Sequence, residues 1–271
     1  MNVADRFIPP MLAITAREVF SGADWWFEIK WDGYRALAHK GQEFHLFSRH
    51  GRDLTQIMPM LGLLAPALPE DAIVDGELIK WVDGQARFQA LRQRDIGDYK
   101  FIAFDCLYSE GRWLLDEPLA RRQEVLRRRI QPSRAVIVSD GIAEAGEAYF
   151  LAAQDQGLEG VMAKRLTSVY RPGQRTPDWQ KFLVWQEERL WATRAYGAGG
   201  GAWFWEVASR PEERRPRARV RAPKCWVPPL GTQEVWFQPP MPVTVQYREK
   251  THKGGLRHAR VREWPSSRDR F

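Results

Sequence analysis

Hydrophobic and polar residues alternate along much of the first half of the chain, which is the pattern of β-strands with one buried face. Five segments follow it and are predicted to be strands: Trp25–Lys30, Tyr34–Lys40, Glu43–Ser48, Ala72–Trp81 and Lys100–Tyr108. Tight turns at Asp32-Gly33 and Gly41-Gln42 are expected to join the first three of them. The first half of the chain is therefore predicted to be rich in β-structure.

Helices are predicted between and after these strands. Residues 54–68 resemble a helix interrupted by proline, and residues 143–157 resemble a helix with Gly157 as its C-cap. A strand over residues 158–165 follows at once. A third helix is predicted over residues 114–130, where arginines face away from four apolar residues at helical spacing: Leu115, Leu119, Leu126 and Ile130.

The pattern changes near residue 187. Residues 196–203 are a glycine-rich loop, and residues 209–224 are rich in arginine and proline with no periodicity. Two strands are then predicted over residues 242–251 and 255–264, around a turn at Lys253-Gly254-Gly255. This last third of the chain is therefore predicted to be a small all-β module.

The chain is thus predicted to hold two domains, an α+β domain over residues 1–186 and the all-β module over residues 187–271. With 271 residues, of which 44% are hydrophobic, it is long enough for both. Residues 187–271 hold 17 Lys and Arg against 9 Asp and Glu, and six of the thirteen tryptophans. All of the net positive charge lies there, which favours a polyanion partner such as nucleic acid over a merely solubilising surface.

The chain lacks the sequence signals of several classes of protein, which excludes those classes. No apolar run approaches the roughly 20 residues that span a bilayer, and the first residues lack the layout of a secretory signal. Cys106 and Cys225 form no C-x-x-C pair, so we expect no zinc site or disulfide framework and a reducing, cytoplasmic setting. P-loop, protein-kinase and G-x-S-x-G motifs are also missing from the sequence.

A lysine nucleophile remains, and Lys30 in "EIKWDGYR" is the candidate. A lysine attacks phosphorus only when its amine is neutral. At pH 7 only about one free lysine in a thousand is neutral. Apolar neighbours such as Trp26, Phe27 and Trp31 favour the neutral form, whereas Glu28 and Asp32 oppose it. Positive charges that would counteract Glu28 and Asp32 recur at strand ends and adjoining loops: Arg35, Arg49, Lys164, Arg175 and Lys181. Glu77 in "VDGELI" and Glu159 in "LEGVMAK" are candidate metal ligands.

In their order along the chain, six segments from residue 6 to 186 resemble the motifs of the ATP-dependent DNA ligases, within the lysine nucleotidyltransferases. They are "EIKWDGYR", "FSRHGRDLT", "VDGEL", "FIAFDCLY", "EGVMAKR" and "SVYRPGQRTPDWQKFLVW". The resemblance implies that Lys30 becomes linked to AMP. It also implies an ATP site made of Glu28, Lys30, Arg35, Arg49, Glu77, Phe104, Arg175 and Lys181.

The same resemblance assigns finer roles. Phe104 would stack on adenine, and Val161 and Met162 would form a floor under the base. Glu77 and Glu159 would hold Mg²⁺ or Mn²⁺. The implied fold is an adenylyltransferase (ATP-grasp-like ligase) domain of antiparallel sheets with flanking helices over residues 1–186. An OB-like, nucleic-acid-binding domain would follow over residues 187–271.

The implied activity is sealing of 3′-hydroxyl/5′-phosphate nicks in double-stranded DNA, in repair, recombination, replication or end joining. NAD is not the expected donor of AMP, because the NAD-using relatives are longer and carry a zinc module. We expect a monomer in a bacterial cytoplasm, associated with the nucleoid, with other repair or end-joining proteins as further partners.

The chain departs from the family pattern twice. Leu183 stands where the family's K-x-K motif has its second lysine, after Lys181, and the tail beyond Arg257 and His258 offers Arg268 and Arg270 at shifted spacing. Because both changes remove charge near the phosphates, slow self-adenylylation is expected. Two alternatives stay open: an RNA ligase or capping-type nucleotidyltransferase, and a ligase-like protein that binds nicks without sealing them.

Overall fold

The protein is mostly β-structure with few helices. The computed structural model describes residues 7–265 except 87, 94, 96, 132, 252 and 253. Within these residues no helix combines the length and the apolar character that crossing a bilayer requires. The chain divides into two compact units, Met1–Leu183 and Val184–Phe271.

In the described part of the first unit, the chain forms two sheets and four helical segments. The strands of the first sheet run in the order β1 (Leu12–Thr15), β12 (Arg175–Leu183), β11 (Gly160–Arg165), β2 (Gly22–Ile29), β10 (Gly141–Glu144). The second sheet has the order β4 (Phe44–Ser48), β3 (Tyr34–Lys40), β5 (Ala72–Val82), β7 (Asp98–Ser109), β8 (Arg112–Trp113), with β6 (Gln85–Ala86) on β5 and β9 (Val136–Val138) on β7. The helical segments are a 3₁₀ helix (Pro59–Ala67), α1 (Phe88–Leu91), α2 (Leu119–Arg129) and α3 (Gly146–Asp155).

The predicted strands are present, but the predicted turn at Asp32-Gly33 does not close a hairpin. Strand β2 pairs with β10 and β11, whereas β3 pairs with β4 and β5 in the other sheet. A Cβ on Gly33 would lie 2.4 Å from the carbonyl oxygen of Leu78. The missing side chain therefore lets the chain pass close to β5 as it crosses from one sheet to the other. The second turn, at Gly41-Gln42, does join the antiparallel strands β3 and β4.

The helices follow the sequence with two differences, the start of α2 and the type of the helix within residues 54–68. Helix α2 lies within residues 114–130 but starts at Leu119, after Pro118. Helix α3 ends as predicted: Gly157 has φ +67° and donates its N–H to the Gln154 carbonyl, a Schellman arrangement. The segment at residues 54–68 forms a 3₁₀ helix over Pro59–Ala67 instead of an α-helix, with Pro66 inside it.

The apolar residues of the first unit lie in three layers. One face of the second sheet packs with the 3₁₀ helix and α2, and one face of the first sheet packs with α3. Between the sheets lies a third cluster, to which Leu37, Ile73 and Phe104 contribute from one sheet and Trp179 from the other. The facing sides of the two sheets therefore meet at this third cluster.

The second unit is an antiparallel sheet with the order β15 (Ala218–Arg221), β14 (Trp203–Ala208), β13 (Gln186–Gly197), β16 (Glu234–Tyr247), β19 (Arg260–Glu263), beside the pair β17 (Glu249–Lys250) and β18 (Leu256–Arg257). Its core surrounds the fully buried Trp205. Strand β15 lies inside the segment predicted to have no periodicity. There Ala218 and Val220 point to the core between exposed arginines. Strand β16 starts eight residues before the predicted one, and Lys253 of the predicted turn lies outside the described residues.

Candidate active site

A pocket of about 430 Å³ opens between the facing sides of the two sheets of the first unit. All eight residues predicted to bind ATP line it: Glu28, Lys30, Arg35, Arg49, Glu77, Phe104, Arg175 and Lys181. Met162, predicted as a floor under the base, lines it as well. Val161 does not, because it lies on the opposite face of its strand, in the core beside α3. The predicted role for Val161 is therefore wrong.

Strand alternation explains this selection, since side chains two residues apart share a face. In the first sheet, the pocket face carries Glu28 and Lys164 on neighbouring strands and Lys181 on the next. The residues between them, such as Phe27 and Phe182, are buried on the α3 side. The second sheet presents Arg35, Glu77 and Phe104 by the same rule.

Lys30 lies one residue beyond the end of β2, beside the start of β11. Its N–H donates to the Gly160 carbonyl at 2.9 Å, and its Nζ donates to Oε2 of Glu159 at 2.6 Å. Gly160 has φ +151°, and a Cβ there would meet the carbonyl oxygen of Phe182 at 2.0 Å. Only glycine fits that corner, so the sharp turn into β11 is what brings Glu159 to Lys30. Lys30 remains 21% exposed at its side chain.

The deep end of the pocket holds an ion pair between Glu28 and Lys164, both almost fully buried. The Lys164 ammonium lies 4.0 Å from the Phe104 ring centroid and 4.5 Å from that of Trp179. Burial raises the pKa of Glu28 and lowers the pKa of Lys164, and the attraction between the two charges opposes both changes. Oε2 of Glu28 has no hydrogen-bond partner among the described residues. An unsatisfied buried acceptor favours a ligand that donates to it.

Arg35 is fixed by a carboxylate that sequence reasoning missed. Its Nε and Nη2 donate to the two oxygens of the fully buried Asp75, both at 2.6 Å. The hydroxyl of Tyr170 donates to the same carboxylate at 2.6 Å, and the Arg35 guanidinium lies 4.5 Å from the Phe104 ring centroid. The signal was present in "VDGEL", because Asp75 and Glu77 are two residues apart and share a face.

Cations lie at the other end of the pocket: Arg49 and Arg175 are exposed, and Lys181 is half-buried. Burial lowers the pKa of Lys181, and the neighbouring charges of Lys30, Arg175 and Arg49 lower it further. Because these positive charges repel one another, the group favours binding of an anionic ligand. His50 and Trp179 also line the pocket and were missed, although each is near a predicted residue, Arg49 and Lys181 respectively.

Two predicted metal ligands flank Lys30. Burial raises the pKa of Glu77 to about 7, with Arg35 and Lys30 acting against the rise and Asp75 adding to it. Among the described residues no group of three or more His, Cys, Asp or Glu forms a metal site. Mg²⁺ commonly takes one or two carboxylates and completes its shell with phosphate oxygens and water. Glu77 and Glu159 fit that use.

The two departures from the family pattern have different positions. Leu183 shares the pocket-facing side of β12 with Lys181 and lies opposite Gly160, but it does not line the pocket. Arg257 belongs to the second unit, where it pairs with Glu249 at 2.7 Å, and His258 follows it with φ +53°. Arg268 and Arg270 lie outside the described residues.

Comparison with known proteins places this geometry in context. A family model described as the ATP dependent DNA ligase domain matches residues 10–182. The SPbeta prophage-derived DNA ligase-like protein LigB of Bacillus subtilis is 26% identical over 275 residues, which cover 95% of this chain and 99% of LigB. The multifunctional non-homologous end joining DNA repair protein LigD of Mycobacterium tuberculosis is 30% identical over 289 residues. That match covers 93% of this chain but 38% of LigD.

The chain is also similar to a solved DNA ligase structure. Mycobacterial DNA ligase D complexed with ATP and MES superposes with a TM-score of 0.62 and 26% identity, covering 98% of this chain and 96% of that one. The chain therefore spans nearly all of LigB and of this crystallised protein, and 38% of the length of full LigD.

Proposed function

The chain belongs to the ATP-dependent DNA ligase family, and we propose that it seals nicks between a 3′-hydroxyl and a 5′-phosphate in duplex DNA through a lysyl-AMP intermediate on Lys30. The observation that carries this proposal is the position of the Lys30 amine. It lies in a pocket with a cationic end and a buried end, where the Glu28–Lys164 ion pair lies beside aromatic rings, and it donates to Glu159 at 2.6 Å.

ATP suits both ends of the pocket. The free oxygen of Glu28 is an acceptor for the adenine amino group, and Arg49, Arg175 and Lys181 are donors for the phosphates. Lys164 and Arg35 already lie over the ring of Phe104, which is 7% exposed. Stacking of adenine on Phe104, which the family resemblance implies, would therefore place the base beside these cations. The mycobacterial relative that was solved with ATP supports the choice of nucleotide.

The first chemical step of the proposed reaction is attack by Lys30 on ATP. Lys30 loses one proton to become neutral, and its nitrogen then attacks the α-phosphorus. A P–N bond forms, the bond from the α-phosphorus to the bridging oxygen breaks so that pyrophosphate leaves, and the nitrogen releases a second proton to solvent. Fixed cations stabilise the negative charge that develops on the phosphates, usually the largest single contribution to such a rate. Glu77 and Glu159 would hold a magnesium ion, which would supply further neutralisation of phosphate charge.

The later steps use the same pocket. AMP moves from Lys30 to the 5′-phosphate of the nick, and the neighbouring 3′-hydroxyl displaces AMP to close the backbone. Each of the three reactions is an in-line displacement at phosphorus, so one set of anion-binding side chains serves them all.

We assign DNA binding chiefly to the second unit, as an OB-like domain. Its strands follow the order third, second, first, fourth, fifth, and the two outer strands β15 and β19 approach each other, as in a partly closed barrel. Its surface carries the basic excess of the chain. The end-joining name of LigD supports a role in repair or end joining. We further propose that the chain acts as a monomer at the bacterial nucleoid.

One experiment tests the activity and separates the alternatives. The protein is incubated with α-labelled ATP and Mg²⁺, then denatured and resolved by electrophoresis. We expect a covalent adenylate that disappears when Mg²⁺ is chelated, and transfer of that AMP during sealing of nicked DNA. A chain that binds nicks without becoming labelled would be a binding protein, and preferential sealing of nicked RNA would make it an RNA ligase.

A further inference from the structure

The second unit presents a sheet face of aromatic and arginine side chains, which the proposed chemistry does not use. Two rows of directly opposed residues cross the four strands β15, β14, β13 and β16. The first row is Arg221, Phe204, Tyr196 and Glu234, and the second is Arg219, Glu206, Arg194 and Trp236. We call these eight residues the aromatic–arginine face.

A bulge in β13 decides to which side of the sheet these side chains point. Leu190 and Ala192 point into the core before the bulge, and Ala195 points into it afterwards. The extra residue shifts the alternation by one, so Arg194 and Tyr196 point away from the core. The face is therefore the outer side of the sheet, opposite Trp205 and the rest of the core.

Rings and guanidinium groups are in contact across this face. The rings of Tyr196 and Phe204 are stacked, with centroids 6.2 Å apart and an interplanar angle of 25°. The Arg194 guanidinium lies 5.5 Å from the Tyr196 centroid and 5.4 Å from that of Trp236. Trp236 is 61% exposed. Leaving an indole so exposed forfeits its burial energy, which favours a ligand that covers it.

The charges of the face are graded from one edge to the other. Glu234 and Glu206 pair with Arg194, at 3.0 and 3.7 Å. Toward the β15 edge, Arg219 is 68% exposed at its side chain despite its contact with Glu206, and Arg221 is exposed. Rings thus lie on β14, β13 and β16, and exposed arginines lie along the β15 edge of the face.

We propose that the aromatic–arginine face binds an unpaired DNA strand, such as the single-stranded tail of a broken end. Bases would stack on Trp236 and on the Tyr196–Phe204 pair, and phosphates would contact Arg219 and Arg221. Stacking needs bases that are splayed from their partners, so intact duplex cannot use the rings. The rows are two residues apart along the strands, about 7 Å, which suits successive bases of an extended strand. The inference rests on the proposed function in one respect: a DNA ligase would encounter broken DNA ends, where such tails occur.

The test measures binding, independently of sealing. Anisotropy of a labelled short oligothymidylate is titrated with the full chain at fixed salt, for wild type and three variants of Trp236. Trp236→Ala and Trp236→Leu are expected to bind about tenfold more weakly, and Trp236→Phe within about twofold of wild type. Trp113→Ala, at an exposed tryptophan of the first unit, is the matched control and should bind like wild type.

The outcomes separate the possibilities. Unchanged binding by Trp236→Ala would overturn the proposal. Retained binding by Trp236→Leu would also overturn it, because it would indicate an apolar surface suited to a protein partner. An equal loss for a blunt duplex without a tail would indicate a duplex-binding surface instead. A chain that binds oligothymidylate as expected but never seals would refute the proposed function and leave this inference intact.

Discussion

The pocket of the first unit and the aromatic–arginine face of the second both combine arginines with aromatic rings, but they do so in opposite ways. In the pocket Arg35 is locked by the buried Asp75 and lies over a ring that is 7% exposed. On the face, Arg194 spans two rings of which one is 61% exposed. Fixed and desolvated groups suit one small ligand, whereas exposed and adaptable groups suit a polymer. The same residue types therefore serve different partners because their burial differs.

The largest expected effect concerns the nucleophile. Lys30→Ala should abolish the covalent adenylate, because it removes the amine that would bond to AMP, the same amine that donates to Glu159. Binding of DNA through the second unit should be unchanged. Lys100→Ala, which removes a lysine that pairs with Asp98 outside the pocket, is the control and should label normally. Labelled AMP retained by Lys30→Ala would show that another residue is the nucleophile.

A large loss of stability is expected where the first unit buries charge most completely. Arg122 donates from Nε and Nη2 to Asp105, at 2.8 and 2.9 Å, and both side chains are 0% exposed. Arg122→Met leaves that carboxylate unpaired and should lower the free energy of unfolding by about 3–5 kcal/mol, measured by urea denaturation.

The neighbouring residue supplies the control for this prediction. Arg121 forms an exposed pair with Glu124, so Arg121→Ala should leave the urea midpoint almost unchanged. Combining Arg122→Met with Asp105→Leu should restore much of the lost stability, because no unpaired charge remains. Equal effects of Arg121→Ala and Arg122→Met would contradict the importance of burial here.

A smaller effect is expected from restoring the missing charge on β12. Leu183→Lys adds an ammonium on the side of the strand that carries Lys181. One charge-assisted hydrogen bond is worth about 1.5–3 kcal/mol, so single-turnover self-adenylylation should speed up about 10- to 100-fold. Closure of a nick that already carries 5′-AMP should change less, and Leu183→Met should change neither rate. Fast adenylylation by the wild type would contradict this account.

The smallest expected effect compares the two cysteines, one in each unit. Burial raises the pKa of Cys106 to about 12, so at pH 8 about one molecule in ten thousand carries the reactive thiolate. Cys225 is exposed. A thiol reagent should therefore modify one cysteine in the native protein, and Cys225→Ser should remove that reaction without affecting sealing. Rapid reaction of two thiols before unfolding would contradict the buried position of Cys106.

The sequence predicted the pocket much better than the face, and the reason lies in how each is assembled. Lys30, Glu77 and Lys181 each belong to a short motif whose residue types and spacing are specific. Strand alternation then sends alternate residues to the pocket. The face depends on which residues oppose each other across strands, as Arg194 opposes Trp236. Register and bulges are set by partners distant in sequence, which local patterns do not contain.

The remaining failures have the same origin. The hairpin predicted at Asp32-Gly33 was wrong because two strands that follow each other pair with different neighbours. Strand β15 was missed because its arginines hid the alternation of Ala218 and Val220, which was visible in "RARVR". Asp75 was missed because its contact with Arg35 depends on the register of β3 and β5, which places Leu37 opposite Asp75 and Arg35 opposite Glu77.

The division of the first unit into two sheets also has a consequence for its synthesis. The strands of the second sheet all lie between residues 34 and 138, so that sheet can form while the chain is still growing. The first sheet pairs Leu12 with Arg175 and needs strands from both ends of the unit. Lys30 and Arg49 are therefore made early, whereas the phosphate-binding residues Arg175 and Lys181 are made last. A chain still attached to the ribosome cannot become adenylylated until Leu183 has left the exit tunnel.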